Sequence, residues 1–384
     1  MTAVYLDNNA TTRVDPRVVA AMLPMLTEHY GNPSSAHESG TLAKRAVAAA
    51  REQVRALIGA AHVDEIVFTS GGTESDNLAI LGALAARPGR DEIVISAVEH
   101  PAVRTLCASL ARTRGLVIHE IPVDAAGRID RAAYQAALSE RTALVSIMWA
   151  NNETGTVFPV ADMAAEANAA GALFHTDAVQ AVGRVPMVLA ERMIDLLSLS
   201  GHKLHAPKGI GALYVRRGIK LAAQTIGGSQ ERGRRAGTEN VPGIVALGTA
   251  CALAAASDDT TIAFLRDRLE GGLLARVADS WVLGDVEHRV PNTACIAFAG
   301  VESEAIVRLL DRRGIAVSSG SACAAGSVEP SHVVRAMGVP ERFARGVVRF
   351  SLSHETTAAE IDRVIETVPD VIAELRADQL ESAA

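Results

Sequence analysis

Several segments of this chain set a reactive side chain directly beside an apolar run. In Leu199-Ser200-Gly201-His202-Lys203-Leu204-His205 a lysine stands just past a strand-like stretch. Burial there would lower the amine's pKa and free it to attack a carbonyl, although a solvated lysine also fits this segment alone. Asp177 closes the apolar run ending at Phe174. A carboxylate in that position needs a cation, such as the ring nitrogen of a cofactor, unless it only caps a helix. His100, before Pro101, offers a flat ring or a proton carrier near neutral pH, or is a plain surface histidine. Gly71-Gly72-Thr73 opens a helix and suits a phosphate, though a capped turn looks the same. The glycines fit neither a P-loop nor GxGxxG. Asn151-Asn152 offers two amides, or simply a turn. Arg349, inside the strand-like Val347 to Ser351, needs an anion, and a carboxylate held bidentately would serve. Cys323 is a thiol in a run of small residues that cannot pack a core, either displayed or incidental. His202 and His205 have no third ligand nearby, and HExxH is absent, so no intrinsic metal is expected.

In open α/β sheets ligands bind beyond the carboxyl ends of strands, and that is where these residues fall. Candidate strands are Ile66 to Thr69, Ile93 to Ser96, Val117 to Ile121, Ala143 to Met148, Leu173 to Thr176, Leu196 to Leu199 and Ala212 to Val215. They alternate with helix-period segments, which predicts an α/β fold with a seven-stranded, mainly parallel sheet. The clearest helix is Ser39 to Ile58, with Leu42, Val47, Val54, Leu57 and Ile58 on one face and Gly59 as its stop. After Asp258-Asp259 the pattern changes to helices near Ile262 to Val277, Glu304 to Arg313 and Ala358 to Leu375, and a strand at Thr293 to Phe298. This predicts a smaller α+β domain. The expected division is 15–257 for the large domain, and 1–14 with 258–384 for the small one carrying a loop at about 318–328.

The 384 residues are 49% hydrophobic with a formal net charge of -7, enough for a large core and too evenly charged for a nucleic-acid footprint. Cys107, Cys251, Cys295 and Cys323 form no CxxC pair, which favours a reducing cytoplasm over a disulfide framework. No leader-like segment or apolar stretch of about 18 residues stands out, so no membrane span is expected.

A lysine, an upstream aspartate, a histidine, a phosphate turn and a carboxylate-binding arginine together describe a pyridoxal-phosphate site acting on an amino acid. The ordered segments LDNNATT (6–12), GNPSSAH (31–37), TSGGTESDN (69–77), EHPAV (99–103), NNETG (151–155), HTDAVQ (175–180), SGHKLHAPKG (200–209), RRAGTEN (234–240) and SSGSAC (318–323) closely resemble the cysteine desulfurases. MWANNETG and the long loop are most similar to group I, especially its nitrogen-fixation branch, NifS. The resemblance departs at Ala324-Ala325, where relatives often carry Thr-Ser.

The resemblance implies fold-type I, class-V aminotransferase architecture and a homodimer with sites at the subunit interface. It implies that Lys203 binds pyridoxal 5'-phosphate covalently, Asp177 pairs with the pyridine nitrogen, His100 stacks on the ring and assists proton transfer, and Gln180 binds the ring hydroxyl. Asn152 would touch cofactor and substrate. Gly72, Thr73, Ser200 and His202 would hold the phosphate, joined by Thr238 of the other subunit, and Arg349 would bind the substrate carboxylate. L-Cysteine would become L-alanine, with its sulfur kept as a persulfide on Cys323 and passed on for iron-sulfur cluster assembly. The chain ends soon after its last helix, which favours a U-type scaffold as acceptor, with which Cys323 could share a cluster in passing. The competing readings are a selenocysteine lyase or small-amino-acid aminotransferase of the same fold, and a non-catalytic sulfur carrier.

Overall fold

Seven of the apolar runs become one sheet. The computed structural model describes residues 3–320 and 329–383. In it β2 (Ile66–Thr69), β3 (Glu92–Ser96), β4 (Val117–Ile121), β5 (Thr142–Ser146), β6 (Leu173–Asp177), β7 (Leu196–Ser200) and β8 (Gly211–Val215) follow β1 (Val4–Tyr5). The sheet order is β2-β8-β7-β6-β5-β3-β4, and only β8 runs antiparallel to its neighbours. Most of these strands are buried along their whole length, as expected for a sheet covered on both faces. Their shared direction puts the carboxyl ends of β2, β3, β5, β6 and β7 along one edge, where the candidate residues collect.

Two expectations need correction. β5 stops at Ser146 rather than Met148, because its pairing with β3 ends at Ile95 and Ser146, while Ile147 and Trp149 still donate to the carbonyls of His175 and Asp177 at the end of β6. In the helix Glu38–Ile58 the buried row is Gly40, Ala43, Val47, Ala50, Val54 and Ile58, while Leu42 is exposed. The helix Val241–Ala255 packs so closely that a Cβ on Gly248 would lie 2.7 Å from the Ala50 Cβ, so small side chains face this contact and leucine turns away. Gly59 ends the helix in the left-handed region, φ 62°, as the sequence signals.

Past residue 260, β9 (Ser280–Val282), β10 (Thr293–Phe298), β11 (Ile315–Ala316), β12 (Ser318–Ser319) and β13 (Val347–Ser351) appear with the helices Thr260–Arg276, Ser303–Arg312 and Ala358–Ala383. A four-stranded sheet is ordered β12-β13-β10-β9, and β1 pairs in parallel with β11. Val4 and Leu6 join a hydrophobic cluster otherwise built from residues 262 to 372. The N-terminal segment then crosses to the large sheet, where Thr12 and Asp15 donate backbone N–H groups to the carbonyls of His202 and His205.

Gly211 makes the turn after β2 possible. It pairs with both Thr69 and Ser200, and an added Cβ would lie 2.7 Å from the Gly71 Cα and 2.6 Å from the Leu199 carbonyl oxygen. Both are backbone atoms that cannot step aside. Gly211→Ala should therefore cost about 1–3 kcal/mol, read by urea unfolding, and should loosen the turn at Gly71-Gly72. Unchanged unfolding would contradict this close approach.

Candidate functional site

A cleft of about 330 Å³ lies at the carboxyl edge of the large sheet, lined by Asn9, Gly72, Thr73, Asp76, His100, Asn152, Asp177, Gln180, Ser200, His202, Lys203 and Arg349, among others. Of the residues to which the resemblance assigns a role, only Thr238 and Cys323 are missing from this lining. Thr238 is exposed and lines a different cleft with Ser70 and Gly209, and Cys323 lies outside the described residues.

Lys203 stands in the 3-10 turn Gly201–Lys203 directly after β7. Its Nζ donates to the carbonyls of Asn9 (2.6 Å) and Ala10 (2.7 Å), so the crossing N-terminal segment holds the amine in place. Asp177 ends β6, buried, with Oδ1 accepting from the Val179 N–H at 2.9 Å. Burial pushes its pKa up, while the charges of His100 and Lys203 pull it back. His100 precedes the helix Pro101–Arg114 and caps it, its Nδ1 accepting from the Ala102 N–H at 3.1 Å. A neutral ring therefore carries its proton on Nε2. Burial lowers the His100 pKa first, then Lys203, against a raising effect from Asp177.

The helix Gly72–Ala85 starts with no side-chain cap, so the N–H groups of its first turn face the cleft edge unclaimed by a capping side chain. Val179 packs where a Gly72 Cβ would stand, at 2.9 Å. His202, beside this turn, is held neutral by burial at a pKa of about 4, with Nδ1 3.2 Å from Thr11 Oγ1. His205 turns elsewhere, to the Arg13 carbonyl, so the two histidines share no common centre. Arg349 enters from β13 and is almost wholly buried. Its Nη1 donates to the Asn152 carbonyl (2.9 Å) and its Nη2 to Asp7 Oδ1 (2.8 Å), while Nε has no protein acceptor.

Sequence reasoning gave no role to four residues here. Asp7 is the anion that Arg349 requires, and it lies in the quoted LDNNATT segment. Asn9 from the same segment receives Lys203. Asp76, about one helical turn beyond the glycines, is buried at the floor of the cleft, 3.6 Å from His175 Nε2, and burial followed by Asp177 drives its pKa well up. His175 lies between Ser146 (2.8 Å) and Ser198 (2.9 Å), and burial holds its pKa down at about 3. A charged residue on an otherwise apolar helix face was the available signal for Asp76.

Glu99 is the fourth. Its Oε1 accepts from Ser96 Oγ (2.5 Å) and the Met148 N–H (2.9 Å), and burial raises its pKa to about 8. The folded state thus holds a proton that the unfolded carboxyl, near 4.5, gives up. Stability from this group is full below about pH 4.5 and is lost as pH rises through about 8. Glu99→Gln keeps both acceptor bonds and cannot titrate. Its Tm should fall less than that of the wild type between about pH 5 and 9, and an equally steep fall would refute a protonated Glu99.

Residues 4–364 match the family described as Aminotransferase class-V. A cysteine desulfurase of Gluconacetobacter diazotrophicus is 62% identical over 379 residues, 98% of this chain and 95% of the relative. Cysteine desulfurase NifS of Azotobacter vinelandii is 55% identical over 379 residues, covering 98% of this chain and 94% of that one. The solved structure of a NifS-like protein superposes with a TM-score of 0.91 at 36% identity, covering 97% of this chain and all of that one. The fold-type I α/β architecture implied by the sequence resemblance agrees with that likeness. Matched over nearly its whole length, the chain belongs to the class-V aminotransferase family, on the branch that holds the cysteine desulfurases.

Proposed function

We propose that this chain is a pyridoxal-phosphate-dependent cysteine desulfurase that moves sulfur from L-cysteine to Cys323 and releases L-alanine. The observation that carries the reading is the meeting of Lys203, Asp177, His100 and an uncapped helix start in one cleft that also receives the buried Arg349. The donor set fits the cofactor. The first-turn N–H groups at Gly72 and Thr73, with Ser200 and neutral His202, suit its phosphate. Asp177 is a buried carboxylate that a protonated ring nitrogen would stabilise. Gln180 faces the place for the ring hydroxyl, and Thr238 of a second copy would complete the phosphate site.

When bound, pyridoxal phosphate supplies an electron sink for the bonds at the substrate's α-carbon. Lys203 would hold the cofactor through its amine, and the same amine would move the α-proton. His100, with Nδ1 committed to its cap, serves as a ring platform with a protonated Nε2, which narrows its part in proton transfer. Arg349, held by Asp7 and the Asn152 carbonyl, orients the substrate carboxylate, and Asn152 borders both ligands. The Cys323 thiolate gives a lone pair to the substrate sulfur. The C–S bond breaks with its electrons left on carbon, that carbon takes a proton, and the sulfur remains as a persulfide.

The domain division at 14/15 and 257/258 is proposed on the separate cluster that unites Val4 and Leu6 with residues 262 to 372. A homodimer, a U-type iron-sulfur scaffold as acceptor and a cytoplasmic setting belong to the same reading. Cys107, Cys251 and Cys295 are buried and unpaired, and among the described residues no single helix is long and apolar enough to cross a membrane. Adding pyridoxal phosphate to the purified chain should produce a visible absorption band that survives gel filtration. Failure to bind would overturn the proposal.

A further inference from the structure

Gln180 and Lys203 share a closed ring of hydrogen bonds. Gln180 Nε2 donates to the Asn9 carbonyl at 3.0 Å, the same oxygen that accepts Lys203 Nζ. On the far side, Arg184 Nη1 donates to Gln180 Oε1 and to the Gln180 carbonyl (3.2 Å), and its Nη2 donates to the Lys203 carbonyl (3.4 Å). Asn9 is itself pinned, through Ser351 Oγ (2.9 Å), Thr293 Oγ1 (2.8 Å) and Asn292 Nδ2 (3.0 Å).

The two ends of a glutamine amide have nearly the same shape, so its partners decide which end faces where. A guanidinium only donates, which commits Oε1 to Arg184. A carbonyl only accepts, which commits one Nε2–H to Asn9. The group left for the cleft is the second Nε2–H. Arg184 remains a cation at neutral pH, since burial brings its pKa down only to about 10. Its hydrogen bonds run to neutral oxygens, and Asp259 acts on it through space.

We propose that Arg184 is a positioning residue for the cofactor, committing the Gln180 amide to donate a hydrogen bond to the ring hydroxyl oxygen of pyridoxal phosphate. The inference rests on the cofactor reading given above. A donor favours the deprotonated form of that oxygen. Without Arg184 only the Asn9 carbonyl holds the amide, so the second Nε2–H is aimed less firmly at that oxygen and its deprotonated form is favoured less.

The test titrates pyridoxal phosphate into cofactor-free wild type, R184M, R184K, Q180A and R184M/Q180A, and follows the visible spectrum of each against pH. R184M should bind roughly 10- to 100-fold more weakly, the scale of one charge-assisted hydrogen bond, and its spectral transition should move to higher pH. R184K, which keeps a cationic donor, should recover most of both. In the Q180A background R184M should add less than about twofold, because Arg184 acts through Gln180. If R184M does not fold, R184L, which also removes the donor, carries the same cycle. Wild-type binding and spectrum in R184M, or effects of R184M and Q180A that multiply, overturn the proposal alone. A wild type that takes up no cofactor overturns the functional reading and this inference with it.

Discussion

Lys203→Ala should abolish both the visible absorption of the covalently held cofactor and the conversion of L-cysteine, the latter by at least about 10³-fold. One amine is asked to supply the covalent tie and the proton transfer at the α-carbon, and either role alone is worth orders of magnitude. Its position leaves little room for substitution. Nζ is fixed by the Asn9 and Ala10 carbonyls at the end of β7, facing the carboxylate at the end of β6. Reading both the spectrum and alanine formation separates the two roles. A variant that keeps turnover would place the catalytic amine elsewhere.

Cys323→Ser should leave the visible band in place and lower alanine and sulfide formation by about 10²-fold or more. A thiolate reaches useful concentration near neutral pH and attacks sulfur well, whereas a serine hydroxyl stays protonated and is a poor nucleophile toward it. The pairing of an intact band with lost desulfuration also sorts the chemistries available to this fold. A selenocysteine lyase or an aminotransferase needs Lys203 but depends less on Cys323, so full activity in the serine variant would favour those readings.

The large sheet was legible because most of its strands are short, mainly apolar runs bounded by polar residues, the pattern of a strand buried on both faces, with the edge strand β4 the exposed exception. The ends were less legible. β5 gives up Ile147 and Met148 because its pairing with β3 ends at Ser146, a tertiary limit that leaves no mark on local composition. Leu42 turned outward because the close contact at Gly248 and Ala50 rewards small side chains over large ones, which a hydrophobic-face argument reads the wrong way.

In the site, the lysine, aspartate, histidine and glycine turn could be read from position, since each follows an apolar run. Their meaning came from the set and from resemblance. Asp7 and Asn9 were quoted within a motif without a role, because their partners, Arg349 and Lys203, lie far along the chain. Asp76 and Glu99 remained hidden for a different reason. Each is a carboxyl whose pKa burial drives up, and sequence alone gives it the look of a surface charge.

The central claim is tested most directly by mixing the cofactor-loaded chain with L-cysteine, no acceptor and no reductant, and then measuring alanine and the mass of the peptide containing Cys323. The account predicts about one alanine per chain in the first turnover and a Cys323 peptide heavier by one sulfur atom. Alanine formed with an unmodified Cys323, or a keto acid in place of alanine, would contradict it.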